Sequence, residues 1–250
     1  MIWNRIFMVF LLSMVGLGGS FAEAAVILDQ NFDDTGTFAP GITGYVGSPS
    51  DSGGRWGSFD ANNTRISNSV ALSGTQSLIA TRGGVALGRT DAFVTTNLYD
   101  ISYAINRVAS NSELIVQVGN IASVASQVGL ATFVRANGLI HINTGGAWIA
   151  TTASAPVGKW TAIRIRVDAA ASSYDLYVTP EGGAESFVQS VAITSLPANV
   201  NAIRLSPQGS AGTETYFDNA LINEVIVPEP AMMGLVGLGG LLLVSRRLGH

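Results

Sequence analysis

Residues 158–168 read Gly-Lys-Trp-Thr-Ala-Ile-Arg-Ile-Arg-Val-Asp, and residues 174–178 read Tyr-Asp-Leu-Tyr-Val. In the first segment Ile163, Ile165 and Val167 alternate with two arginines and an aspartate. Successive side chains of a β-strand point to opposite faces of the sheet, so this period of two predicts one buried face and one face in water. The segment is therefore predicted to be a half-buried antiparallel strand.

The same pattern extends through most of the chain. In residues 99–106 four large apolar residues alternate with smaller or polar ones: Tyr99, Ile101, Tyr103 and Ile105 against Asp100, Ser102, Ala104 and Asn106. Short β-rich runs follow one another at roughly 10 to 15 residues, with Gly- and Asn-rich turns between them and no amphipathic helix. This arrangement predicts an all-β fold, a two-sheet antiparallel sandwich or jelly roll.

Composition narrows the possible functions of the chain. It has 250 residues, a formal net charge of −4 and a pI near 5.1, so no basic footprint for nucleic acid is present. It contains no cysteine, which excludes thiol catalysis and cysteine-based metal sites. We expect no nucleic-acid partner.

The N-terminus has the three parts of a secretory signal peptide. Arg5 forms a short positive region, residues 6–19 are apolar, and Ala22-Glu23-Ala24 offers the small residues of a cleavage site at Ala22 and Ala24. This predicts a signal peptide over 1–24, helical before cleavage, and an exported β-sandwich domain over 25–226. The alternative is an uncleaved N-terminal anchor.

The C-terminal segment 227–250 also has three parts. Val227-Pro228-Glu229-Pro230 is followed by an uncharged apolar run and then by Arg246 and Arg247. As a helix the 14 apolar residues 231–244 would reach only ~21 Å, less than a ~30 Å hydrocarbon core, which leaves a buried core helix as the alternative. The terminal position and the arginine pair favour a short transmembrane helix with the arginines in the cytoplasm.

This C-terminal segment resembles the PEP-CTERM sorting signal of exported Gram-negative proteins, which is also catalogued as an ice-binding protein C-terminal domain. The residues of the resemblance are 227–230, the apolar run, Arg246 and Arg247. The resemblance implies an exosortase substrate, held at the inner membrane by its C-terminal helix or released to the cell surface or extracellular matrix after sorting. It also implies an organism that makes extracellular polysaccharide.

The central domain resembles concanavalin A-like and laminin G-like jelly rolls. The resemblance lies in residues 158–178, where a Gly-x-Trp motif begins one strand and an aromatic-x-Leu-Tyr-Val motif forms the next. Residues 217–222 resemble the closing strand of such folds, with residues 28–32 as its partner. In related carbohydrate-binding modules acids of the first and last strands hold a structural calcium ion, which suggests these candidates: Asp29, Asp33, Asp34 and Asp218. In the alternative, Asp218 caps a turn or accepts main-chain hydrogen bonds.

Catalytic groups are not expected. A jelly-roll glycosidase needs two convergent carboxylates, and the nearest pairs in the chain are Glu214 with Asp218 and Glu181 with Glu185. The first pair has Tyr216 where a central acid is expected, and the second lies in a Gly-rich turn. His141 has no partners for a triad or a zinc site. We therefore expect no enzymatic activity and no required cofactor.

Aromatic side chains on loops or wet faces are the candidates for sugar contact, because an indole or phenol ring offers a flat apolar surface with a polar edge. These are Trp56, Tyr103, Trp148 and Tyr177. Trp56 lies in a long Gly- and Ser-rich excursion, and Trp160 is expected in the core. The sequence thus predicts an exported glycan-binding domain. The alternatives are a structural matrix or adhesion protein and, least favoured, a glycoside hydrolase or lyase.

Overall fold

The computed structural model describes residues 25–30, 32–33, 56–58, 64–82, 86–89, 94–119, 130–143, 147–193, 200–210 and 213–225. The predicted signal peptide, the sorting segment and Asp34 lie outside these ranges. Within them there is no helix that is long and apolar enough to span a membrane.

Fifteen strands form two sheets in the described residues. Sheet A has eight strands in the order β13-β12-β11-β6-β15-β4-β3, with β1 also on β15. These strands are β1 (Val26–Gln30), β3 (Thr64–Ser67), β4 (Ser77–Thr81), β6 (Leu98–Arg107), β11 (Trp160–Asp168), β12 (Ser173–Pro180), β13 (Ser186–Ala192) and β15 (Glu214–Glu224).

Sheet B has seven strands in the order β10-β9-β8-β7-β14-β5-β2. They are β2 (Trp56–Ser58), β5 (Ala86–Arg89), β7 (Leu114–Gly119), β8 (Leu130–Val134), β9 (Leu139–Asn143), β10 (Trp148–Ser154) and β14 (Ala202–Pro207). Neighbouring strands within each sheet are antiparallel. The predicted all-β sandwich of two antiparallel sheets is confirmed.

Strand β11 has the predicted two faces. Ile163, Ile165 and Val167 are at most 1% exposed, whereas Arg164 and Arg166 are partly exposed. The strand pairs with β6 on one side and with β12 on the other, so it lies inside sheet A. Its alternation therefore reports one face packed on the core and one in contact with solvent.

The two ends of the domain meet in sheet A, as predicted. Strand β1 runs antiparallel to the second half of β15, with Leu28 opposite Ile222 and Asp29 opposite Leu221. The first half of β15 pairs instead with β4, and almost its whole length pairs with β6. The closing strand is thus central in the sheet.

The core lies between the sheets and draws on both of them. Tyr103 of β6 is 1% exposed, stacks on Phe217 with ring centroids 5.6 Å apart, and forms a hydrogen bond across the interior with Thr132 of β8. The expectation that Tyr103 lies on a loop or solvent-exposed face is wrong, because the inward alternation of β6 places its ring between the sheets. Burial also raises the pKa of its phenol.

The outer face of sheet A is not uniformly wet. Ala104, Asn106 and Trp160 belong to outward positions of β6 and β11 but are at most 7% exposed. Trp160 lies opposite Asn106 and is outside the hydrophobic cluster between the sheets. It is therefore buried, as expected, but on the outer side of the sheet.

Candidate functional site

The outer face of sheet B carries four aromatic and basic side chains, Phe133, Arg135, His141 and Trp148, which we call the aromatic-basic cluster. Phe133 of β8 lies directly opposite His141 of β9. Trp148 of β10 lies opposite Asn143, the next residue of β9 on the same face. The pairing of three neighbouring strands thus brings these residues together.

Alternation along the strands explains why this cluster faces away from the core. Ile140 and Ile142 are fully buried between the sheets, so His141 between them points outward. Phe133 is only 6% exposed, yet it is not part of the hydrophobic cluster between the sheets.

Contacts within the cluster are those of a packed aromatic patch. The Trp148 ring meets the Phe133 ring edge to face, with centroids 5.5 Å apart and planes at 69°. The guanidinium carbon of Arg135 lies 4.0 Å from the Phe133 ring centroid, a cation–π distance. Trp148 itself remains partly exposed at the start of its strand. The patch therefore offers an accessible indole held in place by a buried ring.

His141 supplies polarity to the patch without a second catalytic group. Burial, together with the charge of Arg135, holds the pKa of His141 below its ordinary value, so the imidazole is neutral at pH 7. Its Nδ1 atom is buried and has no hydrogen-bond partner in the described ranges. An orienting carboxylate, which a triad histidine requires, does not contact it there.

A second basic group lies on the same face, towards the middle of sheet B. Arg204 of β14 is opposite Gln117 of β7, and its Nη1 donates to the Gln117 Oε1 at 2.7 Å. Burial lowers the pKa of this arginine. This partner is a neutral amide, and among the described residues no carboxylate compensates the positive charge of Arg204.

Three of the predicted sugar-contacting aromatics lie in different places. Trp148 belongs to the aromatic-basic cluster, whereas Trp56 begins β2 at the opposite edge of sheet B. Six strand spacings of about 4.8 Å separate those edges, or about 29 Å. Tyr177 is on the outer face of sheet A. One sugar residue could not contact all three.

Charge pairs occupy the surroundings of Tyr177. Arg164 lies 4.0 Å above its ring and donates two hydrogen bonds to Glu185, at 2.9 and 2.6 Å. Arg166 donates two more to Asp100, both at 2.9 Å. These bidentate pairs satisfy the guanidinium groups. The guanidinium groups of this face are therefore less available to a ligand than Arg135 in the aromatic-basic cluster.

Two of the proposed calcium ligands, Asp218 and Asp33, accept hydrogen bonds from main-chain amides through their carboxylate oxygens. Asp218, fully buried, accepts the amides of Leu72, Ser73 and Asn219 at 2.9, 3.4 and 2.8 Å. Asp33 Oδ1 accepts those of residues 75 and 76 at 2.7 and 3.0 Å.

Asp29 is exposed on β1, away from such contacts. Nowhere in the described ranges do three or more His, Cys, Asp or Glu side chains form a group suited to a metal ion. Asp218 takes the main-chain role given above as the alternative, and the described residues do not fit a calcium site.

The acids considered for catalysis also have structural partners. Glu214 forms an ion pair with Arg65, and Glu185 is bound to Arg164. Glu181 accepts the amide of Trp160 at 2.8 Å, and this hydrogen bond lowers its pKa.

Phe133 and Arg135 were not identified from the sequence as site residues. Alternation along the sequence puts His141 on the same strand face as Leu139 and Asn143, but it does not indicate which residues of the next strand lie beside it. Only the β8–β9 register reveals that Phe133 is its neighbour.

No protein-family profile and no curated protein matches the sequence. Solved structures do match. The catalytic domain of a glycoside hydrolase family 131 protein from Coprinopsis cinerea aligns with a TM-score of 0.59 at 12% identity, over 81% of this chain and 95% of that one. A carbohydrate esterase of a Shiga toxin-encoding bacteriophage aligns at 0.51 and 8% identity, over 82% and 100%.

A sialidase aligns with a TM-score of 0.46 at 12% identity. The alignment covers 66% of this chain but only 17% of the sialidase. Several lectins align with TM-scores below 0.5. The two alignments with TM-scores above 0.5 show a similarity of fold only. The domain is a two-sheet antiparallel jelly roll of the concanavalin A-like kind.

Proposed function

We propose that the domain binds carbohydrate, without catalysis, on the outer face of sheet B. The observation that carries the proposal is the partly exposed Trp148, packed edge to face on Phe133, whose ring also contacts Arg135. An aromatic face with adjacent polar donors suits a sugar ring, which has apolar C–H faces and hydroxyl edges. The hydrolase and the esterase named above act on carbohydrates, which is consistent with this use of the fold.

Binding without catalysis is proposed because the acids of the candidate pairs are bound to main-chain amides or to arginines. Asp218 holds main-chain amides, and Glu214 and Glu185 are paired with arginines. Neither pair presents two free carboxylates to one bond, as glycoside hydrolysis requires. Release of reducing sugar from a bound glycan by the purified protein would contradict this part of the proposal.

A glycan array probed with the purified full-length protein tests the binding. We expect Trp148→Ala to weaken binding to the glycans that the wild type binds by at least about tenfold, equivalent to about 1.4 kcal/mol. The matched control is Phe187→Ala, which removes an aromatic that is 56% exposed on β13 of the other sheet. Equal losses in both variants would exclude the aromatic-basic cluster as the site.

We further propose that the protein is exported and sorted to the cell envelope through its termini. The support is the signal-peptide pattern of residues 1–24 and the resemblance of residues 227–250 to a PEP-CTERM segment. Tagged protein should change in size or location when exosortase is deleted. Identical size and location in both strains would rule out sorting.

A structural matrix or adhesion role is the second candidate, and one observation favours it. Strands β10 and β13 are the edge strands at one end of sheets B and A, and neither contains a charged residue or an internal proline. Such edges can pair with strands of another chain. Phe187 and Ile149 on these edges are 56% and 47% exposed.

Self-association through this edge is tested by Ser190→Lys on β13, because a charge on an edge strand opposes pairing. If matrix assembly is the function, the wild-type protein should form oligomers in sedimentation and the variant should not. A wild-type protein that sediments as a monomer at every concentration would rule out this candidate.

A further inference from the structure

Acidic residues are distributed unequally between the two sheets. The strands of sheet A contain seven: Asp29, Asp100, Asp168, Asp175, Glu214, Asp218 and Glu224. The strands of sheet B contain none. A chain with a net charge of −4 thus has one sheet whose strands are free of negative charge.

Within the described part of the chain, Arg135 and Arg204 on the outer face of sheet B also have no carboxylate partner. The ion pairs among the described residues involve Arg65, Lys159, Arg164 and Arg166, and their acids lie in sheet A or its connecting loops. Arg135 instead lies on a ring and Arg204 on an amide. The acid nearest to Arg135 in sequence, Glu113, accepts the main-chain amide of Ala136 at 2.9 Å, and the acid nearest to Arg204, Glu214, is paired with Arg65.

These two arginines are placed for a polymer rather than for a single sugar. Arg204 is on β14, and the aromatic-basic cluster extends across β8, β9 and β10. Arg135 directly follows β8, which is two strand spacings, or about 10 Å, from β14. Arg204 is in register, through Gln117, with Ala131, which lies four residues, or about 13 Å, before Arg135 along the chain. A ligand that contacts both arginines must extend across several strands.

We infer that the outer face of sheet B binds an anionic polysaccharide, one with carboxylate or sulfate groups along its length. Arginine forms bidentate, charge-assisted hydrogen bonds with such groups, and the indole of Trp148 offers a surface for the sugar rings between them. This inference rests on the proposed carbohydrate binding and adds the charge class of the ligand.

The net charge of the whole chain makes the inference specific to this face. An acidic protein repels a polyanion at long range, so association must come from a local region of opposite sign. Two arginines are far fewer than the phosphate contacts that nucleic-acid binding uses, which favours a sparsely charged glycan over DNA.

The test measures binding of the purified full-length protein to polygalacturonate, to neutral dextran and to double-stranded DNA, at increasing NaCl concentrations. We expect polygalacturonate to bind most tightly. Its affinity should fall as the NaCl concentration rises, because salt screens surface charges. Equal or tighter binding of dextran, or tighter binding of DNA, would overturn the inference.

Charge variants locate the contact. Arg135→Gln and Arg204→Gln should each weaken polygalacturonate binding at least about fivefold, whereas Arg204→Lys, which keeps the charge but not the bidentate geometry, should weaken it less than Arg204→Gln. Arg82→Gln is the matched control, because it removes an exposed arginine just after β4 of sheet A. Equal effects of Arg82→Gln and Arg204→Gln would overturn the assignment to this face.

The two proposals fail differently in these experiments. If dextran and polygalacturonate bind equally, and Trp148→Ala weakens both, carbohydrate binding stands and the anionic class is wrong. If neither polymer nor any arrayed glycan binds, the proposed function itself is wrong. As a control, each variant should have the same thermal unfolding temperature as the wild type, which shows that its fold is intact.

Discussion

Arg107 is a charged residue that the fold has enclosed among main-chain carbonyl groups. It is 2% exposed, and its guanidinium donates to Ser110, Ser112, Ala136 and Ala155 at 2.5 to 3.0 Å. These carbonyls belong to three different connections between strands. One side chain therefore fixes three loops at the end of the sandwich.

Replacing Arg107 with methionine should destabilise the protein by at least about 3 kcal/mol, because buried carbonyls lose hydrogen bonds to a charged donor. Urea unfolding measures the change. Arg65→Met is the control, since Arg65 pairs with a partly exposed acid and such pairs contribute about 1 kcal/mol or less. Equal losses in the two variants would contradict the role assigned to Arg107.

Asp218 predicts a pH dependence of stability. Burial raises its pKa from 3.8 to about 6, against the opposing effect of three main-chain hydrogen bonds. The folded protein therefore holds a proton over a pH range in which the unfolded chain has released it. The contribution of this proton to the free energy of unfolding is fully present below pH 3.8 and is lost as the pH rises to 6.

The stability difference between the wild type and Asp218→Asn should accordingly fall from pH 4 to pH 7. Taking the difference removes the titration of the other acids, among them Glu185 and Glu224, whose lowered pKa values act in the opposite direction. Thermal melts of both proteins at several pH values give the measurement. A difference that is constant or grows with pH would contradict the raised pKa.

At the scale of elements, the sequence was most informative where one strand face is packed and the other is wet. In β11 the period of two predicted every buried residue from Ile163 to Val167. In β6 the same reasoning expected Ala104 and Asn106 in water, but both are buried. The alternation reports which face meets the other sheet, and it carries no information on what covers the outer face.

The β8–β9 turn shows how a loop and a buried side chain constrain one another. Gly138 has φ +85°, and its amide donates to the Arg135 carbonyl at 2.8 Å. A Cβ added there would lie 2.8 Å from Arg107 Nη1 and 3.1 Å from the Ala155 carbonyl oxygen. Glycine is thus required for the backbone conformation and for the space.

Gly138→Ala should therefore destabilise the protein more than Gly158→Ala. Gly158 also has a positive φ, +70°, but a Cβ there meets nothing within 4 Å. Both variants incur the left-handed backbone cost of about 1 to 2 kcal/mol, and only Gly138→Ala displaces Arg107. Chemical denaturation gives both values. A smaller loss for Gly138→Ala would show that the space around Arg107 is not limiting.

At the scale of the whole molecule, the sequence predicted the pairing of the first strand with the last but not the position of the candidate site. Strand patterns state which residues face outward, whereas the aromatic-basic cluster depends on the strand order β8-β9-β10. Tyr103 was misplaced for a similar reason, since a tyrosine on an apolar face can find its hydroxyl partner in the opposite sheet, here Thr132.

The central place of β15 makes the fold depend on its C-terminal end. β15 joins β6, β4 and β1, and β1 pairs with no other strand in the described part of the chain. A chain that ends at residue 212 should remain sensitive to protease where the full-length chain is resistant. Equal protease resistance would mean that sheet A closes without β15.

This dependence also sets the time at which the domain can fold. Among the described strands, the partner of the first strand is the last to be synthesised, so a nascent chain cannot complete sheet A before β15 has been made. The export proposed above, through a pore that admits only unfolded chains, would require such a delay. The same pairing that holds the two ends of the finished domain together would keep the growing chain threadable until its last strand has emerged.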